Sequence, residues 1–333
     1  MQTTIYDISK KSGVSIATVS RVLNNKKGVS EKTRQKVLAV MEEIGYTPNA
    51  FARGLGLNTI KTVGIMCMDV SDIYLASAVS TLERELRHKG YDSLLCCTGA
   101  NAEDKRSYLQ VLLSKRVDAI ILVGSHFISG GDSGYIIEAA RQVPIILING
   151  YIKGENIYCM LTDDFGLVRD AVSQLINGGH RRILYVYDTT TYSGRQKMDG
   201  YKTALTQAGI PIEEELILFC KKNLEESQEK IGQLLDQGVG FDAVVCAEDE
   251  QGVAAVKAAI ERGIPIPEKM EVIGYNNSIL SRCSEPGLTS IDNRVEASCM
   301  TAINTLFGVF EGKDFPDRIL ISGELVKRSS TKI

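Results

Sequence analysis

Asp163, Asp164, Asp249 and His180 are the side chains that could, if brought together, exchange protons with a substrate: three carboxylates and one imidazole that titrates near neutrality. The signatures that would turn such a set into an enzyme are missing. The chain has no P-loop, no GxGxxG after a strand, no GxSxG and no HExxH, and His180 in GGHRRI reads as a loop leading into the next strand. A sugar hydrolase or kinase is therefore the least supported class. The eight cysteines (Cys67, Cys96, Cys97, Cys159, Cys220, Cys246, Cys283, Cys299) form no CxxC pair and sit mostly in apolar runs. They are expected to be small buried hydrophobes, so no metal, cofactor or disulfide framework is expected.

Charge is distributed unevenly along the chain. Residues 1–60 carry nine Lys or Arg against four Asp or Glu, a net +5, and the remainder carries 29 against 37, a net −8. A small basic head on a larger acidic body suits a protein whose one end approaches phosphates. In the head, Thr4 with Asp7 three residues on can open a helix that runs through Ile5 and Ile8 to Gly13. Ser15 can cap a second, with Val19, Val22 and Leu23 as its inner face and Ser15, Ile16, Ala17, Ser20, Arg21 and Asn24 on its other sides. A third begins near Ser30, is expected to bury Val37, Leu38, Met41 and Ile44, and stops at Gly45. Helix, glycine-containing turn, helix is the helix-turn-helix arrangement, which presents the second helix to a major groove.

The 333 residues are 44% hydrophobic and 24% charged, which suggests two or three domains. No apolar stretch approaches the ~18 residues of a membrane span, and TTIYDISKK near the N-terminus has no signal-peptide core. A cytoplasmic location is expected. Asn49 can cap the short segment AFARGLGL, which reads as a linker before a strand at 62–68. Beyond it, apolar runs at Asp92–Cys97, Val117–Gly124, Pro144–Asn149, Ile183–Tyr187, Leu216–Cys220, Phe241–Ala247 and Val272–Tyr275 read as buried strands. Helical patterns alternate with them at Ala78–Lys89, Arg106–Ser114, Gly166–Asn177, Gln196–Gln207, Leu224–Leu235 and Gly252–Arg262. Repeated βα units imply parallel sheets covered on both faces, and about 230 residues of alternation imply two lobes rather than one very wide sheet. Such sheets bind ligands at the carboxyl ends of their strands.

The run TIYDISKKSGVSIATVSRVLNN, followed by VSEKTRQKVLAVMEEIGYTPNAFARGL, resembles the lactose-repressor (LacI/GalR) family of bacterial transcription regulators. Later signposts, DDFG at 163–166, GGHRRI at 178–183, KMDGYKTAL at 197–205 and EVIGYN at 271–276, extend the resemblance over essentially the whole chain. It implies an α/β protein: an N-terminal all-α helix-turn-helix head joined by a hinge to a two-lobed, periplasmic-binding-protein-like body with parallel sheets and three crossings between lobes. The expected divisions are 1–46 for the head, 47–60 for the hinge and 61–333 for the effector-binding and dimerisation body. Lobe 1 is expected at about 61–161 and 291–320, and lobe 2 at about 162–290 and 321–333.

The resemblance also implies roles. Ile16, Ala17 and Ser20 face the groove, with Arg21 reading guanine through two hydrogen bonds. Ser15, Thr18, Asn24, Ser30 and Thr33 hold phosphates, and Thr4 and Tyr6 join the DNA-contacting set. Asn49, Ala52, Arg53 and Leu55 match a hinge segment that folds on the operator and pushes a leucine between base pairs. Gly54 and Gly56 depart from that pattern, each costing about 1 kcal/mol against alanine in a helix. The family's effector positions fall on Tyr74, Asp163, Arg195, Lys197, Asp249 and Asn276, with Glu248 beside them, which suits a sugar or similar polyol. Lys197, Glu248 and Asn276 depart from the residues commonest there and argue for a different ligand from the usual galactosides or purines.

The function these expectations imply is a sequence-specific DNA-binding regulator, a repressor, whose operator affinity is set by a small carbohydrate-like effector. Its partners would be pseudo-palindromic duplex DNA and a second copy of the chain. No leucine heptad follows the strand-like stretch Arg318–Val326, so a dimer is expected rather than a tetramer. An alternative within the family is a catabolite-control regulator with a phosphocarrier protein as corepressor, since SIATVSRV is similar to the recognition helix of those members.

Overall fold

The computed structural model describes residues 4–23, 26–46, 59–128 and 133–332 and divides into two units, Met1–Lys61 and Thr62–Ile333. In the first unit, helix α1 (Ile5–Ser12) starts where the Asp7 carboxylate accepts hydrogen bonds from the Thr4 amide, at 2.8 Å, and the Thr4 hydroxyl, at 2.7 Å. Gly13 ends it at φ 68°, a left-handed conformation that glycine adopts without strain, and its N–H reaches the Ser9 carbonyl. Helix α2 (Ile16–Leu23) follows after the three residues Gly13 to Ser15, and α3 (Glu31–Glu43) is capped by Ser30, whose hydroxyl accepts from the Thr33 amide. Ile8, Val19, Val22, Val37 and Met41 form the core of the three. Leu38, expected inside, is 43% exposed. The inward row of α3 is Val37, Met41 and Ile44, and Leu38 lies a further 100° around the helix.

The second unit contains two six-stranded sheets. The strands are β1 (Thr62–Cys67), β2 (Asp92–Cys97), β3 (Ala119–Val123), β4 (Ile145–Ile148), β5 (Ile157–Thr162), β6 (Ile183–Tyr187), β7 (Ile217–Phe219), β8 (Ala243–Cys246), β9 (Glu271–Tyr275), β10 (Thr289–Asp292), β11 (Arg318–Ile321) and β12 (Glu324–Val326). The helices are α4 (Ile73–His88), α5 (Ala102–Ser114), α6 (Gly134–Ala140), α7 (Asp164–Asn177), α8 (Tyr192–Gln207), α9 (Leu224–Asp236), α10 (Asp249–Glu261), α11 (Ile279–Cys283) and α12 (Val295–Phe310). The first sheet has the order β11-β5-β4-β3-β1-β2 and is parallel throughout. The second has the order β12-β10-β9-β8-β6-β7 and is parallel except where β12 runs against β10.

Helices cover both faces of each sheet, which is why β1, β3, β4 and β8 read as unbroken apolar runs. One face of the first sheet packs Val63, Ile65 and Ile121 against Leu75, Leu82 and Leu86 of α4 and Cys299, Ala302, Ile303 and Leu306 of α12. The other packs Met66, Ile120 and Leu122 against Leu109 and Leu112 of α5 and Ile136 of α6. In the second sheet, Tyr185, Val245 and Ile273 face α7 and α8, and Leu184, Val244 and Val272 face α9 and α10. No described helix is long and apolar enough to cross a membrane.

Several sequence expectations need correction. Helices α4, α5, α7, α8 and α10 begin two to five residues before the starts expected at Ala78, Arg106, Gly166, Gln196 and Gly252. The first turns of α8 and α10 are mostly polar, so their apolar period sets in one turn late, whereas α4 opens on Ile73, Tyr74 and Leu75 with Leu75 already in the core. Strands β5 and β10 were not expected; the latter reads TSID, and its buried Thr289 and Ser290 are hydrogen-bonded to Thr331 and Asp249. The stretch Arg318–Val326 is two strands in different sheets, broken at Gly323. Cys67, Cys159, Cys220, Cys246 and Cys299 are buried as expected, Cys96 is half-buried, and Cys97 and Cys283 are exposed. Cys97 lies on the edge strand β2, which has a neighbour on one side only.

The chain passes between lobes after β5, after β10 and between β11 and β12, and these passages touch. The Asp163 amide donates to the Ile321 carbonyl at 3.2 Å, and the Thr162 hydroxyl donates to the Asn293 carbonyl at 3.3 Å. At Gly323 a Cβ would lie 2.2 Å from the Asp292 carbonyl oxygen, so only glycine allows this approach.

Candidate functional site

Two surfaces carry the residues singled out from the sequence, one on each unit. On the first, α2 turns Val19 and Val22 inward, which leaves Ile16 41% exposed and puts Ala17 and Arg21 on the surface, with Ser20 half-buried. The Ser15 hydroxyl lies 2.9 Å from that of Thr18 and accepts from the Thr18 amide, and the Ser15 carbonyl receives the Val19 amide, so Ser15 holds the start of the helix. Among the described residues the Arg21 guanidinium has neither a hydrogen bond nor an ion pair, leaving its planar fork free for another molecule. Tyr6 is 67% exposed, Thr4 is tied to Asp7, and the hydroxyls of Ser30 and Thr33 are 2.8 Å apart. Asn24, Asn49, Ala52, Arg53 and Leu55, with the flanking Gly54 and Gly56, lie outside the described residues.

On the second unit, a cavity of about 620 Å³ opens between the lobes at the carboxyl ends of the strands. Much of its polar lining comes directly after a strand: Ser125 and His126 after β3, Asn149 after β4, Asp188 after β6, Glu248 after β8 and Asn276 after β9. Asn149 and Asn276 turn the chain there with φ of 63° and 97°, a region asparagine tolerates better than most residues. The first turn of α4 adds Tyr74, and the first two turns of α8 add Ser193 and Lys197. Across the cavity, the Ser125 hydroxyl donates to Thr191 Oγ1 at 2.8 Å in a buried inter-lobe bond.

Charge is heavily concentrated here. Lys197 Nζ donates to the Ala247 carbonyl at 2.8 Å, lies 3.6 Å from Glu248 Oε1 and sits 3.7 Å from the centre of the Tyr275 ring. Below it, buried Asp164 accepts from Ser193 Oγ at 2.6 Å and from the Tyr275 hydroxyl. Burial raises the Asp164 pKa against the opposing pull of Lys197. Glu248 accepts from Asn276 Nδ2, and Asn293 Nδ2 holds Asn276 Oδ1 at 2.8 Å. Burial pushes the Asp188 carboxyl up to about 6, with Glu248 adding to the shift. The His126 imidazole is pulled down to about 4 by burial and then by the Lys105 charge, so it is neutral at physiological pH.

Of the seven effector positions carried over from the resemblance, Tyr74, Lys197, Glu248 and Asn276 line this cavity. Three do not. Asp163 caps α7 through the Gly166 amide, and Arg195 is exposed with its guanidinium on the Thr190 carbonyl. Asp249 borders a neighbouring cavity of about 590 Å³, but its carboxylate is occupied by the Ser278 amide at 2.6 Å and the Ser290 hydroxyl at 2.5 Å. The proton-transfer set fails as well. His180 lies within 3.2 Å of Asp242 and 3.3 Å of Glu271, at the amino ends of β8 and β9, whereas Asp249 follows their carboxyl ends. Sequence reasoning missed Asp72, Lys105, His126, Asn149, Asp188 and Lys222 as lining residues. The usable signal for His126, Asn149 and Asp188 was their place just after an apolar run.

Comparison with known proteins finds a match within each unit. Residues 4–49 match the model for bacterial regulatory proteins of the lacI family, and residues 172–331 match a periplasmic binding protein-like domain. An HTH-type transcriptional regulator of Lachnoclostridium phytofermentans is 54% identical over 329 residues, covering 98% of this chain and 99% of that one. The HTH-type transcriptional regulator DegA of Bacillus subtilis is 33% identical, covering 99% and 98%. Among solved structures, the lac repressor dimer bound to operator and the anti-inducer ONPF superposes with a TM-score of 0.88 at 24% identity, covering 99% of both chains, a likeness of fold.

Proposed function

The chain belongs to the lacI family of bacterial regulatory proteins, and from that membership we propose that α2 reads operator DNA while a small molecule in the inter-lobe cavity sets the affinity. It is a helix-turn-helix transcriptional regulator, and the relatives it matches carry regulatory names. We assign residues 1–46 to the reading head, 47–60 to the hinge and 61–333 to the effector body, acting in the cytoplasm as a repressor.

The observation that carries this reading is the outer face of α2, where Ile16, Ala17 and Arg21 stand exposed opposite the buried Val19 and Val22. Arg21 can address guanine O6 and N7 together, and Ile16 and Ala17 offer apolar contact to a thymine methyl. Ser15, Thr18, Ser30 and Thr33 have hydroxyls and helix N-termini suited to phosphates, which position the head without reading sequence. The likeness to a dimer on its operator supports two copies of the chain on a pseudo-palindromic site. An effector regulates such a protein only by binding one arrangement of the lobes better than another. The cavity suits a polyol: Asp188, Glu248, Asn276 and Asn149 accept from and donate to hydroxyls, and Tyr74 offers an apolar face.

The test is selection of bound duplexes from a randomised library by the full-length chain at low ionic strength. Enrichment of one palindromic sequence is expected, and failure to retain any palindrome, with or without small metabolites, overturns the reading.

A further inference from the structure

Among the buried groups of the inter-lobe cavity, opposite charges are matched with one exception on each wall, the further lining cation, Lys221, being exposed. Lys222 is paired with Asp72 and Glu248, and Lys197 with Glu248 and the Ala247 carbonyl. Lys105, on α5 in lobe 1, is only 6% exposed and lines the same cavity. Its ammonium has one hydrogen-bond acceptor, the His126 carbonyl at 2.8 Å, and among the described residues no carboxylate lies within ion-pair distance. On the lobe 2 wall, Asp188 Oδ1 is buried and has no hydrogen-bond partner. A buried ammonium with two donors idle and a buried carboxylate oxygen with no donor are both costly unless something supplies what they lack.

We infer that the cavity takes an anionic sugar, a polyol bearing a carboxylate or phosphate, with the anion on Lys105 and hydroxyls on Asp188. The inference rests on reading this cavity as the effector site. A neutral sugar satisfies Asp188 but leaves the Lys105 charge uncompensated, and a simple anion does the reverse. Asn149, on the same wall as Lys105, supplies a neutral donor for the remaining anion oxygens. The neighbouring His126 is neutral and adds no competing charge. A ligand held at its anion by lobe 1 and at its hydroxyls by lobe 2 interacts with both lobes at once, as a lobe-coupling effector must.

Calorimetric titration of the full chain at matched ionic strength tests this with glucuronate, galacturonate, gluconate and glucose 6-phosphate against glucose and galactose. At least one anion should bind, with the carboxylates and the phosphate separating the two sources of charge. Its neutral counterpart should bind on the order of thirtyfold more weakly or worse, the ratio that follows from losing a buried charge pair. Lys105→Met should weaken the anion by a similar factor, and Lys105→Arg should restore most of it. Because Lys105→Met removes an unmatched buried charge, the variant folds at least as well as the parent, which a melting curve checks. A neutral sugar binding as tightly as its acid, or an anion indifferent to Lys105→Met, overturns the anionic assignment while leaving the effector site standing. No heat from any of the four anions overturns it too, and operator selection then judges the regulator reading separately.

Discussion

Lys222 of lobe 2 reaches across the cavity to Asp72 of lobe 1, with Nζ 2.6 Å from Oδ2, while the same ammonium lies 3.1 Å from Glu248 Oε2. Asp72 also caps α4 through the Leu75 amide. One cation therefore joins the start of a lobe 1 helix to a carboxylate on the floor of lobe 2. Burial works to lower the Lys222 pKa, and Glu248 and Asp72 together more than offset it, so the value is raised.

Removing that cation leaves Asp72 and Glu248 facing each other without a shared counter-charge. Lys222→Met should cost roughly 1 to 3 kcal/mol in urea unfolding. Asp72→Asn keeps the cap oxygen and removes the charge, so the double variant should be less destabilised than the sum of the singles by about 1 kcal/mol or more. Strict additivity would show that the two residues do not interact across the cavity in solution.

The raised pKa of Asp188 makes a signed prediction. Its ordinary value is 3.8 and its folded value about 6, so the folded chain holds a proton that the unfolded chain has released between these limits. Stability from this group therefore falls as pH rises through that window, and the full cost is present above about pH 6. Asp188→Asn should raise the melting temperature at pH 7.5, with the advantage fading as pH falls to about 4. An advantage independent of pH would assign the effect to packing instead.

Arg21→Ala should leave the helical circular dichroism of the chain intact and reduce discrimination among operator variants by about 1 to 3 kcal/mol at one base position. A uniform loss across all sequences would make Arg21 a phosphate contact. Measured against salt, operator affinity should fall linearly on logarithmic axes, as expected for a head with a net charge of +5.

Gly323→Ala places a methyl group against the Asp292 carbonyl and the Leu167 side chain at a passage between lobes. We expect a loss on the order of 2 kcal/mol or more, from overpacking against backbone that cannot yield. Full stability in the variant would mean that the passages separate readily.

Most of the fold was legible because helix and strand periods are read from apolar residues, and the body is built from apolar strands covered on both faces. The head was legible for a second reason: Ser15, Gly13 and Val19 impose caps, a turn and a core within a few residues of one another. The site was harder to read. Polar residues on the first turns of α8 and α10 hid those helices' true starts, and Asp163, adjacent to Asp164 in sequence, is a cap while its neighbour is buried beneath the cavity. Lys105 had no signal at all, since a lysine on an amphipathic helix ordinarily reads as solvated. Its burial depends on His126, 21 residues away, whose carbonyl holds the ammonium. Strands β5 and β10 escaped because their pairing with the C-terminal stretch is long-range.

That C-terminal stretch gives β11 to one sheet and β12 to the other, and α12 just before it covers a face of the first sheet. On the ribosome, lobe 1 therefore waits with an open edge at β5 and a bare apolar face until all of lobe 2 except β12 has been synthesised. The nascent chain is then most vulnerable to aggregation midway through translation, and truncations near the end will injure the lobe made first as much as the one made last.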